Sequence, residues 1–331
     1  MAFFHPTGPT KTAIIGAGLS GLTCAQFLHQ SGHAVTVFEK SRGLGGRLAT
    51  RRVTDDLAFD HGAQFFTATS PDFSAFVENA VADYSATSWT PQLQGPIERV
   101  PEPRYVGTPS MNAFVKPLVD GIEVHRQTRI ALVENVDGTW ILTSEIGDHF
   151  DGFDMVVCTL PAPQARDILV KQPDVVEQFQ SVAIAPCWAL MIAFDEPVDT
   201  SIDAFRDKST PVTWLARNGS KPGRSVRPEC WVAHASSRWS TENLERDPED
   251  VALDLIHMLP SIMATELPSI KYATAHRWRY ALTTTPLKKP FVTDASQTLF
   301  VGGDWCLGAR VEQAYESGRA IAEQIVTQTS T

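Results

Sequence analysis

Cysteine is scarce and unpatterned in this 331-residue chain. The five present (Cys24, Cys158, Cys187, Cys230 and Cys306) are odd in number and include no C-x-x-C pair. That usage argues against a disulfide framework or a zinc site, so no metal is expected, and it favours a reducing compartment. Long apolar runs are missing as well, since none approaches the ~20 residues of a membrane helix. The opening MAFFHPTGPTK has neither a basic start nor an apolar stretch of signal-peptide length, and the resulting expectation is a cytoplasmic protein. An excess of positive charge is absent too: 28 basic against 38 acidic residues give a formal charge of −10. Neither nucleic acid nor an anionic membrane is then an expected partner, and no obligate protein partner is implied. Any anion binding must come from local clusters of arginine. Internal repeats and low-complexity segments are also lacking.

What the chain does have is a large apolar fraction. Hydrophobic residues make up 43% and charged residues 20%, the profile of a globular protein with a sizeable core, longer than one typical domain and shorter than three. Residues 12–40 read as strand, glycine turn, helix and strand. Ala13-Ile14-Ile15 is a short buried strand, Leu22, Ala25, Phe27 and Leu28 supply a helix face, and Val35-Thr36-Val37-Phe38 is the second strand. Gly16, Gly18 and Gly21 form G-x-G-x-x-G in that context, with Ala17, Leu19 and Ser20 between them. The first glycine permits a tight turn, the second lets backbone approach a pyrophosphate, and the third lets helix and strand pack closely. Glu39 ends the second strand, where a carboxylate can accept from ribose hydroxyls. The pattern predicts a bound dinucleotide.

Directly after it comes EKSRGLGGRLATRR (39–52). Lys40, Arg42, Gly45, Gly46 and Arg47 crowd against the ribose acid, and a nicotinamide dehydrogenase needs none of them. Adjacent glycines bring backbone N–H groups against an extended ligand, and guanidiniums pair with its phosphates. Further on, 122–160 alternates as a β-meander with Asp137-Gly138 as a hairpin turn. Residues 181–290 hold short aromatic strands, read as a separate antiparallel sheet, with one amphipathic helix at 247–259. The tail LFVGGDWCLGARVEQAYESG reads as strand, glycine turn and a helix beginning near Val311, with Glu312 as its first-turn dipole partner. Gly318 inside that helix predicts close packing. In HRWRYA, period two sets His276, Trp278 and Tyr280 on one face and Arg277 and Arg279 on the other. That aromatic face is either a core ladder or a binding face for a planar ring.

The 39–52 stretch resembles the GG doublet of flavoproteins related to monoamine oxidases, phytoene desaturases and protoporphyrinogen oxidase. FDHGAQFFTA (59–68) is similar to that family's strand beside the isoalloxazine, which implies Gly62, Ala63 and Gln64 at the ring. VGTPSMNAFVKPLVDGIEV (106–124) resembles its small-residue-then-methionine helix. Gly302, Gly303 and Asp304 resemble the motif whose Asp meets the ribityl chain or a phosphate, with Arg310, Val311 and Glu312 opening the helix aimed at the flavin. KSRGLGGR, DHGAQFFT, HRWRYA and the tail together look like the bacterial renalases, a small branch of this fold.

That resemblance implies α/β plus antiparallel β architecture. An FAD-binding Rossmann-type (glutathione reductase 2-like) domain, residues 1–75, 106–165 and 291–331, would carry an inserted mixed α+β substrate domain, 76–105 and 166–290. It implies non-covalent FAD, with Cys306 an unlinked thiol. The implied substrate is a dihydronicotinamide dinucleotide, a 2- or 6-dihydro isomer of NAD(P)H, whose hydride passes to flavin N5. NAD(P)+ leaves, and O2 becomes hydrogen peroxide. His276, Trp278, Tyr280 and Gln64 are the implied catalytic residues, His276 as a hydrogen-bonding group. His234 is expected to be structural, and Lys271, Lys288 and Lys289 solvated. Arg104, Arg238 and Arg310 are open between substrate phosphate and surface ion pairs. A flavin amine oxidase, a non-catalytic FAD-binding redox sensor and a carotenoid-type desaturase are the rival readings. The loop RNGSKPGRSVRPE (217–229) and the first ten residues have no assigned role and read as mobile.

Overall fold

The structure, a computed structural model, describes residues 8–96 and 103–330. The expectation for residues 1–7 and part of that for 76–105 lie outside them. Two compact units form, Met1–Gly46 with Val115–Ile184 and Thr283–Thr331, and Arg47–Phe114 with Ala185–Leu282.

In the first unit the apolar run Lys11–Ile15 takes a central place in a six-stranded sheet. The order is Phe291–Thr293, Leu299–Gly302, Met155–Cys158, Lys11–Ile15, Ala34–Glu39, Glu123–Arg126. All neighbours are parallel except the antiparallel edge pair 291–293 with 299–302. Ile14 pairs with Val157 on one side and Val37 on the other, and all three are fully buried. Burial on both faces is why these strands are continuous apolar runs instead of alternating ones.

Helix Leu19–Gln30 packs against the last helix, Val311–Thr329. Two glycines set that geometry. A Cβ on Gly21 would stand 2.0 Å from the Gly16 carbonyl oxygen, and one on Gly318 would stand 2.1 Å from that of Ser20. Gly318 thus has the close packing its sequence position predicts.

Three strands of the expected meander, Ile130–Val136, Thr139–Ser144 and His149–Phe153, form an antiparallel sheet. Its hairpin turns at Asp137 (φ 52°) and Gly138 (φ 87°), both left-handed as a type I′ turn requires. One flanking segment departs from expectation, since Glu123–Arg126 joins the large sheet. MVVCTLP (155–161), which reads as an apolar strand cut off by proline, is the buried strand Met155–Cys158 of the same sheet. The expected helix in 106–124 is a 3-10 helix, Met111–Val119, with Pro117 inside it.

The second unit holds a six-stranded sheet ordered Ile270–Thr285, Ala183–Phe194, Glu229–Ala235, Val212–Arg217, Ala204–Arg206, Leu93–Gln94. Its inner pairs are antiparallel as expected, but the 93–94 strand adds in parallel to 204–206. Helix Pro248–Met263 is capped by the Asp247 carboxylate, which accepts from the Glu249 N–H. Its Val251, Leu255 and Leu259 are buried with Trp188, Leu190 and Ile192 of the sheet.

The unit boundaries differ from the expected 1–75, 106–165 and 291–331 against 76–105 and 166–290. Residues 47–75 and 106–114 group with the second unit. Leu57 and Phe59 share a core with Met191, Ala193, Cys230 and Val232. Residues 166–184 and 283–290 group with the first. Ile168, Leu169, Val175 and Phe179 lie in its core, and the Arg166 guanidinium donates to the carbonyls of Phe179, Gln180 and Val182.

Gly318→Ala is expected to lower stability by about 1–3 kcal/mol, the overpacking range. A urea midpoint equal to the parent's would show that the two helices part without cost.

Candidate functional sites in the two units

In the first unit Gly16, φ +106°, turns the chain after the first strand, and its N–H donates to the Phe38 carbonyl. Gly18 precedes the helix, and a Cβ there would meet nothing within 4 Å. One side of this backbone is open, as close approach of a ligand requires. The helix has no side-chain N-cap, so its first-turn N–H groups lack intrahelical partners and carry the positive end of the dipole. The buried Ser20 hydroxyl at the same end has no hydrogen-bond partner. Glu39 is buried at the end of its strand, accepting from the N–H groups of Ala17 at 2.9 Å and Ser41 at 2.7 Å. A carboxylate has about four acceptor sites, so two stay available to hydroxyls.

The glycine doublet folds back onto this loop. The Gly45 N–H donates to the Ala17 carbonyl, and a Cβ on Gly46 would lie 3.4 Å from the Gly18 Cα. Arg42 is exposed, as is Lys40, which reaches Gln164.

At the tail, Gly303 has φ +146° and donates to the Ser317 hydroxyl. Asp304 is buried at the start of a one-turn helix. Arg310 caps the last helix: its N–H donates to the Gln313 side chain, while its guanidinium lies 3.6 Å from buried Glu312 in the first turn beside Val311. Trp305 is fully buried and donates to the Leu160 carbonyl. Burial pushes the Cys306 thiol well above its usual range, which suits an inert thiol.

In the second unit, period two along Ile270–Thr285 has its expected effect. Arg277 and Arg279 both reach Glu245, at 2.8 and 2.6 Å. His276 and Trp278 meet His61 instead. The His61 ring stacks on Trp278 with centroids 5.0 Å apart and meets His276 edge-on at 4.9 Å. The His61 carbonyl accepts from Trp278 Nε1 at 2.9 Å and from His234 Nε2 at 3.1 Å. His234 therefore has the structural role expected of it. Burial holds His61 down to about 3 and His234 to about 4, and lowers His276 as well. All three imidazoles are neutral at ordinary pH. His61 is 6% exposed and its Nδ1 has no partner. Tyr280 is half-buried on the same strand and makes no ring contact among the described residues.

Gly62 and Ala63 belong to a turn closed on Arg47. A Cβ on Gly62 would stand 2.0 Å from the Arg47 carbonyl oxygen, and the Ala63 N–H donates to that same oxygen. The Arg47 guanidinium donates to the Ala281 carbonyl. Both ends of the Gln64 amide are engaged: Nε2 donates to the carbonyls of Asp60 and Gly62, and Oε1 accepts from Lys221 Nζ at 2.9 Å. Lys271 pairs with Asp195 and Lys288 and Lys289 are exposed, as expected. Arg238 is 89% exposed beside Glu242, a surface pair. Arg104 is buried with its guanidinium over Phe65.

Lys221 corrects the expectation of a mobile 217–229 loop. Asn218 and Lys221 are buried, and so is the Arg224 side chain. The Asn218 amide bridges Asp60 N–H and the Ala58 carbonyl. The fully buried Asp60 carboxylate accepts from Arg224 Nε and Nη2 at 3.0 and 2.7 Å, Thr50 Oγ1 at 2.6 Å and Met111 N–H at 3.0 Å, with Lys221 Nζ at 3.6 Å. The sequence reading passed over Asp60, His61, Lys221 and Arg224. The available signal was the pair of cations three apart in SKPGR, but proline and glycine around them read as a solvated turn.

Burial works to raise the Asp60 pKa, and the charges of Lys221 and Arg224 with two hydrogen bonds outweigh it, bringing it to about 2. Because the folded value lies below the usual 3.8 of an aspartate, this group adds about 2 kcal/mol above that pH, lost as pH falls through 2. Asp60→Asn strands two buried cations and is expected to cost about 3–5 kcal/mol, read from denaturant unfolding at pH 7. A loss below 1 kcal/mol would show that the carboxylate is not the anchor.

The sequence agrees with known families in two blocks. A model described as NAD(P)-binding Rossmann-like domain matches residues 14–80, and one described as flavin containing amine oxidoreductase matches residues 80–326. The 15-cis-phytoene desaturase of Synechococcus elongatus is 37% identical over 62 residues, 19% of this chain and 13% of that protein. The 4,4'-diapophytoene desaturase (4,4'-diaponeurosporene-forming) of Staphylococcus aureus is 35% identical over 78 residues, 20% of this chain and 15% of that protein. The chain thus spans only 13–15% of the length of these curated relatives. The cyclohexylamine oxidase of Brevibacterium oxydans superposes with a TM-score of 0.76 over 98% of this chain and 100% of that one, at 12% identity, a shared fold. The open backbone at Gly18, the unpartnered Ser20 hydroxyl and the spare acceptors of Glu39 fit a dinucleotide cofactor. With a dinucleotide-binding domain followed by a match over most of the chain, the protein belongs to the flavin-containing amine oxidoreductase family, and its cofactor is FAD.

Proposed function

We propose that this protein is an FAD-dependent oxidase of the renalase type, acting on 2- or 6-dihydro isomers of NAD(P)H and yielding NAD(P)+ and, with O2, hydrogen peroxide. The observation that carries the reading is the face made by His61, His276 and Trp278. A planar pyridine with a carboxamide suits stacked aromatic rings edged by a hydrogen-bonding group, and His61 Nδ1 is a buried polar atom without a partner. Bound FAD supplies the hydride acceptor and the route of electrons to O2.

The chain's own part is orientation. A dihydropyridine regains aromaticity on losing hydride, so no side chain must remove a proton. Neutral imidazoles that hydrogen-bond and do not titrate are adequate. Trp278 is the surface on which the ring lies, fixed by its indole bond to the His61 carbonyl. His276 and Tyr280 lie along the same strand face as groups for the carboxamide and ribose. In the first unit the groups proposed for FAD are Gly16 through Gly21, Glu39, Lys40, Arg42, Gly45, Gly46, Gly303, Asp304 and the helix start at Arg310, Val311 and Glu312; in the second unit Arg47, Gly62, Ala63 and Gln64 are proposed as ligand contacts. The positive charge of Arg51 bears on both His61 and His276. A cation there favours an anionic dinucleotide over a protonated amine.

The second reading, an oxidase of a small amine, is favoured by the family match across residues 80–326. One assay separates the two. Purified FAD-loaded protein is mixed anaerobically with borohydride-made dihydronicotinamide isomers or with amines, and loss of yellow colour is followed. The isomers are expected to bleach it quickly, with His61 and His234, at about 3 and 4, adding no break to the rate between about pH 5 and 7. Trp278→Ala is expected to slow bleaching about 10- to 100-fold through misplacement of the ring. Bleaching by amines alone, rising with pH as the ammonium deprotonates, would replace the proposal with the second reading. Protein that neither class bleaches would be a redox sensor.

A further inference from the structure

The Lys221 ammonium is fully buried in the second unit; its charge helps hold Asp60 ionised, but burial lowers its own pKa by more than Asp60 raises it, so its net effect on stability is unfavourable. Arg224 already engages the Asp60 carboxylate with two guanidinium nitrogens, at 3.0 and 2.7 Å. One guanidinium and one carboxylate cancel. Lys221 adds a second cation at 0% side-chain exposure, 3.6 Å from an oxygen that is already bonded. Two buried cations for one carboxylate carry an uncompensated charge, and replacing surplus buried charge with apolar groups is commonly neutral or stabilising. The ammonium also lies 5.7 Å from the centroid of the Trp89 ring.

What Lys221 does have is a directed bond. Its Nζ donates to Gln64 Oε1 at 2.9 Å, while Gln64 Nε2 donates to the carbonyls of Asp60 and Gly62. An ammonium is donor-only, so the oxygen end of the amide must face it and the nitrogen end must face the two carbonyls. Without that donor the amide loses its preferred orientation. A flipped amide would set Oε1 against two carbonyl oxygens and open the turn. Since Lys221 has no exposed surface, it acts through Gln64 and not on a ligand directly.

We propose that Lys221 is a positioning residue that, by clamping the Gln64 amide, fixes the backbone of the Asp60–Gln64 turn. The proposal rests on the reading above, in which Gly62, Ala63 and Gln64 are ligand contacts. The charged and titratable groups facing Lys221 are Asp60 and Arg224, with His234 influenced by its charge. Burial lowers the Lys221 pKa, Asp60 raises it and Arg224 lowers it, bringing it to about 8. The folded value lies below the usual 10.5 of a lysine, so the burden on the folded state is complete below pH 8 and relieved as pH rises toward the unfolded value.

The test compares parent, Lys221→Met and Lys221→Gln as FAD-loaded proteins. Hydrogen exchange is read on peptides covering residues 59–66, with the Ala63 amide, bonded to Arg47, as reporter. Lys221→Met is expected to exchange there at least tenfold faster, with the rest of the second unit unchanged and the urea midpoint at or above the parent's. The neutral donor of Lys221→Gln should restore protection. In bleaching by whichever reductant the parent accepts, Lys221→Met should lose rate with little change in KM, and Lys221→Gln should keep the parent's rate. Unchanged exchange at 59–66, or loosening spread evenly over the unit with a lower midpoint, would overturn the proposal. Should Lys221→Met not fold, Lys221→Gln decides it: loss of protection there equal to a Gln64→Ala control overturns the clamp. Exchange is read without substrate, so a protein that no dihydronicotinamide bleaches refutes the functional reading and leaves this result standing by itself.

Discussion

A single carboxylate with no exposed surface organises the second unit. Asp60 is the end of a short strand, and its oxygens gather groups from three separate stretches of chain: Thr50, Met111 and Arg224. None of the three neighbours Asp60 in sequence. Because a buried charge costs several kcal/mol unless fully paired, every one of these partners is held to hydrogen-bonding distance by the same penalty. The loop that carries Arg224 folds inward for that reason, and the Asn218 amide follows it to bond Asp60 N–H and the Ala58 carbonyl. The turn from Asp60 to Gln64 then starts from a fixed point.

A different constraint governs the first unit, where backbone must approach backbone. Gly21 accommodates the Gly16 carbonyl, Gly318 accommodates that of Ser20, and Gly46 lies against Gly18. The contacts of Gly21 and Gly318 exclude a methyl group from a specific place, so helix and strand are pinned by the absence of side chains, while Gly46 holds a left-handed φ of +54°. Gly18 alone among these has open space where a Cβ would be. Three glycines close the protein on itself, and the fourth leaves room for something that is not protein.

Much of this was legible in the sequence, and the reason is local. The strand-turn-helix unit, the glycine roles, the 137–138 hairpin and the alternation of His276 and Trp278 with Arg277 and Arg279 each depend on spacing within a few residues. What escaped was set by distant partners. Residues 123–126 alternate much as the meander after them does, and only pairing with 34–39 removes them to the large sheet. Pro117 and the approach of Gly107 to the Met111 carbonyl tighten the 111–119 segment to a 3-10 helix where composition reads as an ordinary one. SKPGR reads as solvent-facing because lysine and arginine are seldom buried without a partner, and that partner lies more than 150 residues away at Asp60.

The two kinds of polar group in the second unit also divide by charge. His61, His234 and His276 are each driven toward neutrality by burial, while Asp60 stays ionised under heavier burial because two cations and two hydrogen bonds outweigh the cost. Neutral rings around Trp278 give a surface that stacks and hydrogen-bonds without a field that changes with pH. The ionic cluster, in turn, is confined to the loop junction. The charge locked behind Gln64 is desolvated once, on folding, while the Arg51 charge that bears on the rings stays on an exposed side chain. That separation suits the proposed reaction, whose demand is geometric: a ring held still while hydride leaves it.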